Sequence, residues 1–144
     1  MKLLLQRVRE ACVEVEGETV GRIGRGLLLF AGITSDDDHR SVARLAERVL
    51  RYRVFADAGG RMNLSVTDVA GDLLVVSQFT LAADTGRGLR PSFSGAAPPE
   101  KARELFECFL TCLGESGLNL ACGRFAADMQ VSLVNDGPVT FLLE

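Results

Sequence analysis

Apolar and polar residues along this chain follow two rhythms. Over residues 11–16 they switch at every step: Cys12, Glu14 and Glu16 point one way, Val13 and Val15 the other. That period of two is the mark of a half-buried strand. Residues 2–8 read as a strand before it, and Gly17-Glu18 turns the chain. Gly21, Gly24 and Gly26 punctuate the approach to GLLLFAGI (26–33), which is apolar on both faces and so predicts a centrally buried strand. The rhythm then changes. Val42, Leu45, Ala46 and Val49 recur at helical spacing. Residues 34–38 open that helix, with Ser35 and Asp38 at the looser capping-box spacing and three aspartates suited to the positive end of the helix dipole. His39 falls in the first turn, where the pattern predicts an exposed surface histidine rather than a catalytic base.

Further along, residues 53–55 look extended and 57–60 form a turn. Residues 72–81, DLLVVSQFTL, predict a strand. Residues 82–98 form a long loop carrying Arg87, Arg90, Pro91 and Phe93, of the kind that often has a function inside a compact domain. Pro98-Pro99-Glu100 starts a second helix, which turns Ala102, Leu105, Phe106, Phe109 and Leu113 to the core and ends at Gly114 or Gly117. Strand-like pieces at 118–120, 122–125 and 129–134 lead to Asn135-Asp136-Gly137-Pro138. Two β-type runs, 131–134 and 139–143, flank that tetrapeptide, and pattern alone reads it as a hairpin turn. Pro138 is unusual there, because it removes a ladder donor and the bond before it can be cis. The element order predicts an α+β fold: antiparallel or mixed β-sheets in barrel-like β/β/α layers, covered by two main helices, in a single domain over residues 1–144.

Composition narrows the class. The chain has 144 residues, 47% of them apolar, enough for a real core and too many for disorder. A net charge of −3 advertises no broad basic surface, so any RNA contact should involve few phosphates. Cys12, Cys108, Cys112 and Cys122 lack paired metal-site spacing and read as small buried apolar groups. No metal or cofactor is expected. The apolar run in MKLLLQRVRE is too short for a signal peptide, and no stretch is long enough to span a bilayer, so a reducing cytoplasm is the expected location.

Sites for chemistry are few. One histidine cannot supply a convincing Ser-His-Asp triad. GRIGRG spaces its glycines as GxxGxG and precedes a strand, so it is no dinucleotide fingerprint. What remains is Ser77, Gln78, Phe79 and Thr80, at the end of a buried strand and the start of a long loop. Alternation would put Ser77 and Phe79 on one face and Gln78 and Thr80 on the other. Polar groups so placed can line a pocket.

Two of these segments, SQFTL (77–81) and NDGPVT (135–140), resemble motifs of the D-aminoacyl-tRNA deacylases. QRV (6–8), RPSF (90–93) and GRFAADM (123–129) fit the same family in the same order, so the resemblance covers nearly the whole chain. It implies a homodimer that cleaves the ester between a D-amino acid and the 3′-terminal adenosine of tRNA, and that also removes mischarged glycine. It places catalysis at Ser77, Gln78, Phe79 and Thr80. It implies a cis Gly137-Pro138 bond, with that pair reaching into the partner subunit's pocket as a chirality filter oriented by Arg7. Phe125 and Met129 join the substrate-binding set. The implied partners are the 3′ end of aminoacyl-tRNA and a second copy of the chain, with no membrane and no DNA. One departure stands out: Ala121-Cys122 occupies the place where the family commonly has Gln-Thr.

Two mechanisms fit these residues. In one, Thr80 is a nucleophile that forms an acyl-enzyme, for which it needs an activating base. In the other, backbone N–H groups around Phe79 and Thr80 stabilise the oxyanion while the substrate's own 2′-hydroxyl handles the water. Two rivals from other classes are a non-catalytic RNA-end or protein-interaction module and a small-molecule esterase using Thr80 or Ser77.

Overall fold

In a computed structural model describing residues 1–144, one long strand, β1 (Lys2–Val15), is the spine of the molecule. Along one edge it pairs antiparallel with β2 (Glu18–Ile23) and β3 (Gly26–Gly32). Along the other it pairs antiparallel with β8 (Gln130–Leu143). Beyond β3 the sheet continues in parallel to β6 (Asp72–Ser77) and then β7 (Leu120–Cys122). A small separate hairpin joins β4 (Phe55–Ala56) to β5 (Met62–Leu64) through the predicted turn, where Asp57 Oδ1 accepts from Gly59 N and Arg61 N. Helices α1 (His39–Arg51) and α2 (Pro99–Gly114) pack on one face of the main sheet.

The central strands read as apolar on both faces because they separate two cores. Leu27, Leu29 and Ala31 of β3, with Leu73 and Val75 of β6, face the helices. Leu28, Leu74 and Val76 face the other way, into a second core closed by Val8, Ala11, Val13 and Ile23. The sheet curls around this second core into a nearly barrel-shaped layer, and Gly21 of β2 makes the closure possible. A Cβ there would sit 2.9 Å from the Cys122 carbonyl oxygen and 3.1 Å from Leu74. The predicted two-helix α+β architecture with barrel-like layering is the one observed.

Several local expectations change. The runs at 2–8 and 11–16 are one strand, interrupted by a bulge at Arg9: Val8 pairs with Asn135 and Glu10 with Val134. That extra residue shifts the alternation, so Val8, Ala11 and Val13 all reach the second core. The capping box lies three residues later than its predicted start. Asp38 is the N-cap and accepts from Ser41 N at 2.7 Å, while Asp38 N donates to Ser41 Oγ at 3.1 Å. Asp37 turns inward and is buried, accepting from the Met1 ammonium, Thr34 and Ser41. Burial pushes its carboxyl up, but these donors outweigh it and hold the group below the usual carboxylate range. The strand predicted over 72–81 stops at Ser77, and a 3-10 turn (Phe79–Ala82) follows. Of the strand pieces expected at 118–120 and 122–125, only β7 forms. Helix α2 starts with Pro98 as cap and Pro99 at its first position, and it runs to Gly114 as expected.

Candidate functional site

The end of β6 opens into a cavity of about 460 Å³. Its floor is Ser77, Gln78 and Phe79, beside Ala31 and Ile33 at the end of β3. One wall is Ala97, Pro99 and Ala102 at the start of α2; the other is Phe125, Ala126, Ala127 and Met129. The floor is set by the sheet: Gln78 N donates to Ala31 O at 2.8 Å, which extends the β3–β6 ladder by one residue. Gly32 then allows the turn to fold back. A Cβ at Gly32 would meet Leu81 Cβ at 2.8 Å and Gln78 O at 2.9 Å. The far wall is held by Gly123 N donating to Val75 O at 2.8 Å, and by Phe125, which packs on Phe106 and lies beneath the Arg103 guanidinium at 4.6 Å.

The 3-10 turn breaks the alternation expected across 77–80. Ser77, Gln78 and Phe79 all reach the cavity, whereas Thr80 is exposed and lies outside its lining. Thr80 Oγ1 accepts a hydrogen bond from Gln78 Nε2. No side chain caps the turn, so the Phe79 and Thr80 N–H groups have no acceptor in the chain. These are the free donors every helical start leaves. None of the fourteen lining residues is ionisable. The site thus offers an apolar recess, with unpaired backbone donors at its edge and no acid–base side chain.

Asn135-Asp136-Gly137-Pro138 is not a hairpin. Its two flanking runs do not pair with each other; both belong to β8 and pair with β1. Gln6 pairs with Thr140 and Val8 with Asn135, so Asp136, Gly137, Pro138 and Val139 bulge out opposite Arg7 alone. The Gly137-Pro138 bond is cis, and both residues are exposed. Arg7, 13% exposed, anchors the bulge: Nε donates to Asp136 O at 2.8 Å and Nη1 to Val54 O at 2.6 Å. Asn135 closes the bulge from the other side. Its Oδ1 accepts from Val139 N at 2.8 Å, and its Nδ2 donates to Val139 O and Thr140 Oγ1, both at 3.2 Å. Gly137 is obligatory, because a Cβ there would lie 2.5 Å from Val139 N and from Val139 Cγ2.

The structure therefore gathers Ser77, Gln78, Phe79, Phe125 and Met129 around one cavity, and Arg7, Gly137 and Pro138 at a separate protrusion. The Val54 carbonyl and Gly32 were not picked out from sequence, and Asn135 only as part of the NDGP segment. Asn135 carried a signal, since Asn habitually bonds backbone a few residues on; the Val54 carbonyl carried none. His39 is on the surface, 3.1 Å from Glu104. The four cysteines are half-buried rather than buried. Burial and the neighbouring Cys108 push the Cys112 thiol up, which leaves it a poor nucleophile.

Comparison with known proteins places the whole chain in one family. Residues 4–144 match a family model described as D-Tyr-tRNA(Tyr) deacylase. A D-aminoacyl-tRNA deacylase from Shewanella loihica is 56% identical over 144 residues, covering 100% of this chain and 99% of its own. One from Escherichia coli is 58% identical with the same coverage. Among solved structures, a c-Myc DNA unwinding element binding protein superposes with a TM-score of 0.94 at 39% identity, over 100% of this chain and 98% of its own. A probable eukaryotic D-amino acid tRNA deacylase shares the fold, with a TM-score of 0.88 at 16% identity over 99% and 97%.

Proposed function

The chain belongs to the D-aminoacyl-tRNA deacylase family, and we propose that it hydrolyses the ester joining a D-amino acid, or mischarged glycine, to the terminal adenosine of tRNA, in the cavity at the end of β6. The observation that carries this reading is the pairing of uncapped Phe79 and Thr80 N–H groups with a recess that has no ionisable lining. Water attacks the ester carbonyl, and the carbonyl oxygen gains negative charge that the two N–H groups can receive. The C–O bond to the ribose then breaks, releasing the free amino acid and a tRNA with its hydroxyl restored. The water's proton must end on the departing 3′-oxygen. The substrate's vicinal 2′-hydroxyl can relay it there, accepting the water's proton as it gives up its own, since no lining side chain can take it.

Thr80 fits the nucleophile role poorly. It lies outside the lining, and its hydroxyl oxygen is hydrogen-bonded by an amide N–H, which cannot accept a proton. Thr80→Ala is therefore expected to keep substantial activity, within about tenfold of the parent. A charged tRNA ending in 2′-deoxyadenosine is expected to lose about 100-fold or more. Single-turnover rates check both, and trapping a covalent aminoacyl-Thr80 species would establish the opposite mechanism.

Selectivity on this reading comes from the Gly137-Pro138 bulge of a second copy. The bulge is exposed and firmly tied, yet none of it lines the cavity of its own chain. In an isologous homodimer each protrusion can enter the partner's cavity. Backbone that fills the space an L side chain needs rejects it sterically, where a merely attractive pocket separates substrates by only ~1–3 kcal/mol per methylene. Glycine has no side chain to exclude and so passes. Side-by-side deacylation of D-Tyr-, L-Tyr- and Gly-charged tRNA tests the whole reading: the first and third should be cleaved and the second spared. Cleavage of all three, or of a simple ester alone, would overturn it. The relative named for binding DNA raises a duplex-binding alternative, but a net charge of −3 favours contact with a nucleic-acid end.

A further inference from the structure

The segment between the 3-10 turn and α2 forms the rim of the cavity, since Phe79 at one end of it and Ala97 and Pro99 at the other line the recess. Despite its length it is pinned. Asp84 and Ser92 exchange two backbone hydrogen bonds, 2.7 and 3.0 Å, Ser35 N donates to Gly95 O at 3.0 Å, and Phe93 packs on Phe79 at 5.1 Å between ring centroids. The strap held by these contacts ends in a tip, residues 85–91, that is exposed throughout. It carries Arg87 and Arg90, flanking a wholly exposed Leu89. The molecule's ion pairs all lie elsewhere. The carboxylate nearest in sequence, Asp84, is engaged by Gly86 N at 2.8 Å. Two guanidiniums without internal partners thus stand at the tip of a loop whose pinned base borders the candidate active site, on a protein whose net charge is negative.

Resting on the tRNA reading above, we infer that Arg87 and Arg90 grip phosphates of the RNA strand leading into the cavity. Guanidinium is suited to this, since its planar fork matches phosphate oxygens. These two contacts should add to the substrate's electrostatic binding. The cavity itself, which has no charge, recognises only the terminal aminoacyl-nucleoside. The two recognitions are therefore separable.

The test compares Arg87→Ala/Arg90→Ala with the parent on D-Tyr-tRNA and on the minimal ester 3′-O-D-tyrosyl-adenosine, which lacks the strand. For the tRNA, kcat/KM should fall about tenfold or more at low salt, mostly through KM. The slope of its logarithm against log salt should become shallower by about one per lost phosphate contact. The minimal ester should be cleaved within about twofold of the parent rate. Arg22→Ala/Arg61→Ala, which removes the same charge from other elements, should leave both substrates nearly unaffected. An equal loss on both substrates would place the arginines in the chemistry. A loss that tracks dissociation in sedimentation would place them in the subunit contact, and no loss on tRNA would make the loop a bystander; each result overturns the proposal. Failure of the parent itself to cleave D-Tyr-tRNA would instead overturn the functional reading beneath it.

Discussion

Arg7→Ala is expected to narrow the gap between D- and L-aminoacyl-tRNA hydrolysis by at least about tenfold, chiefly by admitting the L-substrate. The guanidinium binds two carbonyls that belong to different parts of the chain, Asp136 O on the bulge and Val54 O before β4. Each charge-assisted bond contributes roughly 1.5–3 kcal/mol, so losing the one to Asp136 is enough to let the Gly137-Pro138 backbone move. About 1.4 kcal/mol of lost discrimination corresponds to tenfold. The cavity is untouched by this change, because Arg7 does not line it. Arg7→Lys should recover only part of the selectivity, since an ammonium can reach one carbonyl but lacks the fork that spans both. Steady-state rates on D-Tyr- and L-Tyr-tRNA check this. If D-turnover falls while the L-substrate stays fully rejected, Arg7 does not orient the bulge.

Gly137→Ala should cost D-substrate turnover about 100-fold while leaving the protein folded. The added Cβ would press on Val139 N and Cγ2 at 2.5 Å, and Val139 is buried while Gly137 is not, so the bulge must yield rather than the core. Clashes of this kind typically cost about 1–3 kcal/mol, which an intact 144-residue domain can bear. Mixing decides where the bulge acts. Ala102→Phe should block the cavity from the first turn of α2. If each cavity is completed by the other subunit, refolding the two inactive variants together restores about one quarter of parental activity, because half the pairs are mixed and each mixed pair holds one intact site. No recovery on mixing would put the bulge to work on its own chain.

Much of this fold could be read from the chain, and the exceptions have physical causes. The two-sided apolar character of residues 26–33 signalled a centrally buried strand, and β3 does lie between two cores, as does the strand expected from residue 72. Helix α1 announced itself through Val42, Leu45, Ala46 and Val49, all buried. Its cap was placed three residues early because Ser35 and Asp38 also fit capping-box spacing, whereas in the fold Asp38 is itself the cap, bonded to Ser41, and Asp37 is drawn to the Met1 ammonium. The strand at 72–81 was overrun because its apolar residues continue through Leu81. The chain instead folds back at Ser77 into a 3-10 turn that packs closely over Gly32, a tertiary approach that local pattern cannot register. The hairpin expectation at 135–138 failed for a related reason. Turn-forming residues say that a chain departs from a ladder, not whether the two arms then meet each other or return to a third strand. Within the candidate site, Ser77 to Phe79, Phe125 and Met129 were legible through motif resemblance. The backbone partner of Arg7 at Val54 was not, since a carbonyl is present at every residue and only the fold selects which one is used.

The route by which the bulge is fastened bears on when it can fail. Arg7 sits on β1 between Leu5, which belongs to the helix-facing core, and Val8, which belongs to the barrel core. A segment wedged between two cores opens only when both come apart, and such segments exchange their amide hydrogens at close to the free energy of global unfolding. The exposed tip of the rim loop has no such tether and can fluctuate at far lower cost. Warming should therefore erode the grip on the substrate's strand well before it erodes the rejection of the wrong enantiomer, so that near its melting temperature the protein grows slow before it grows careless.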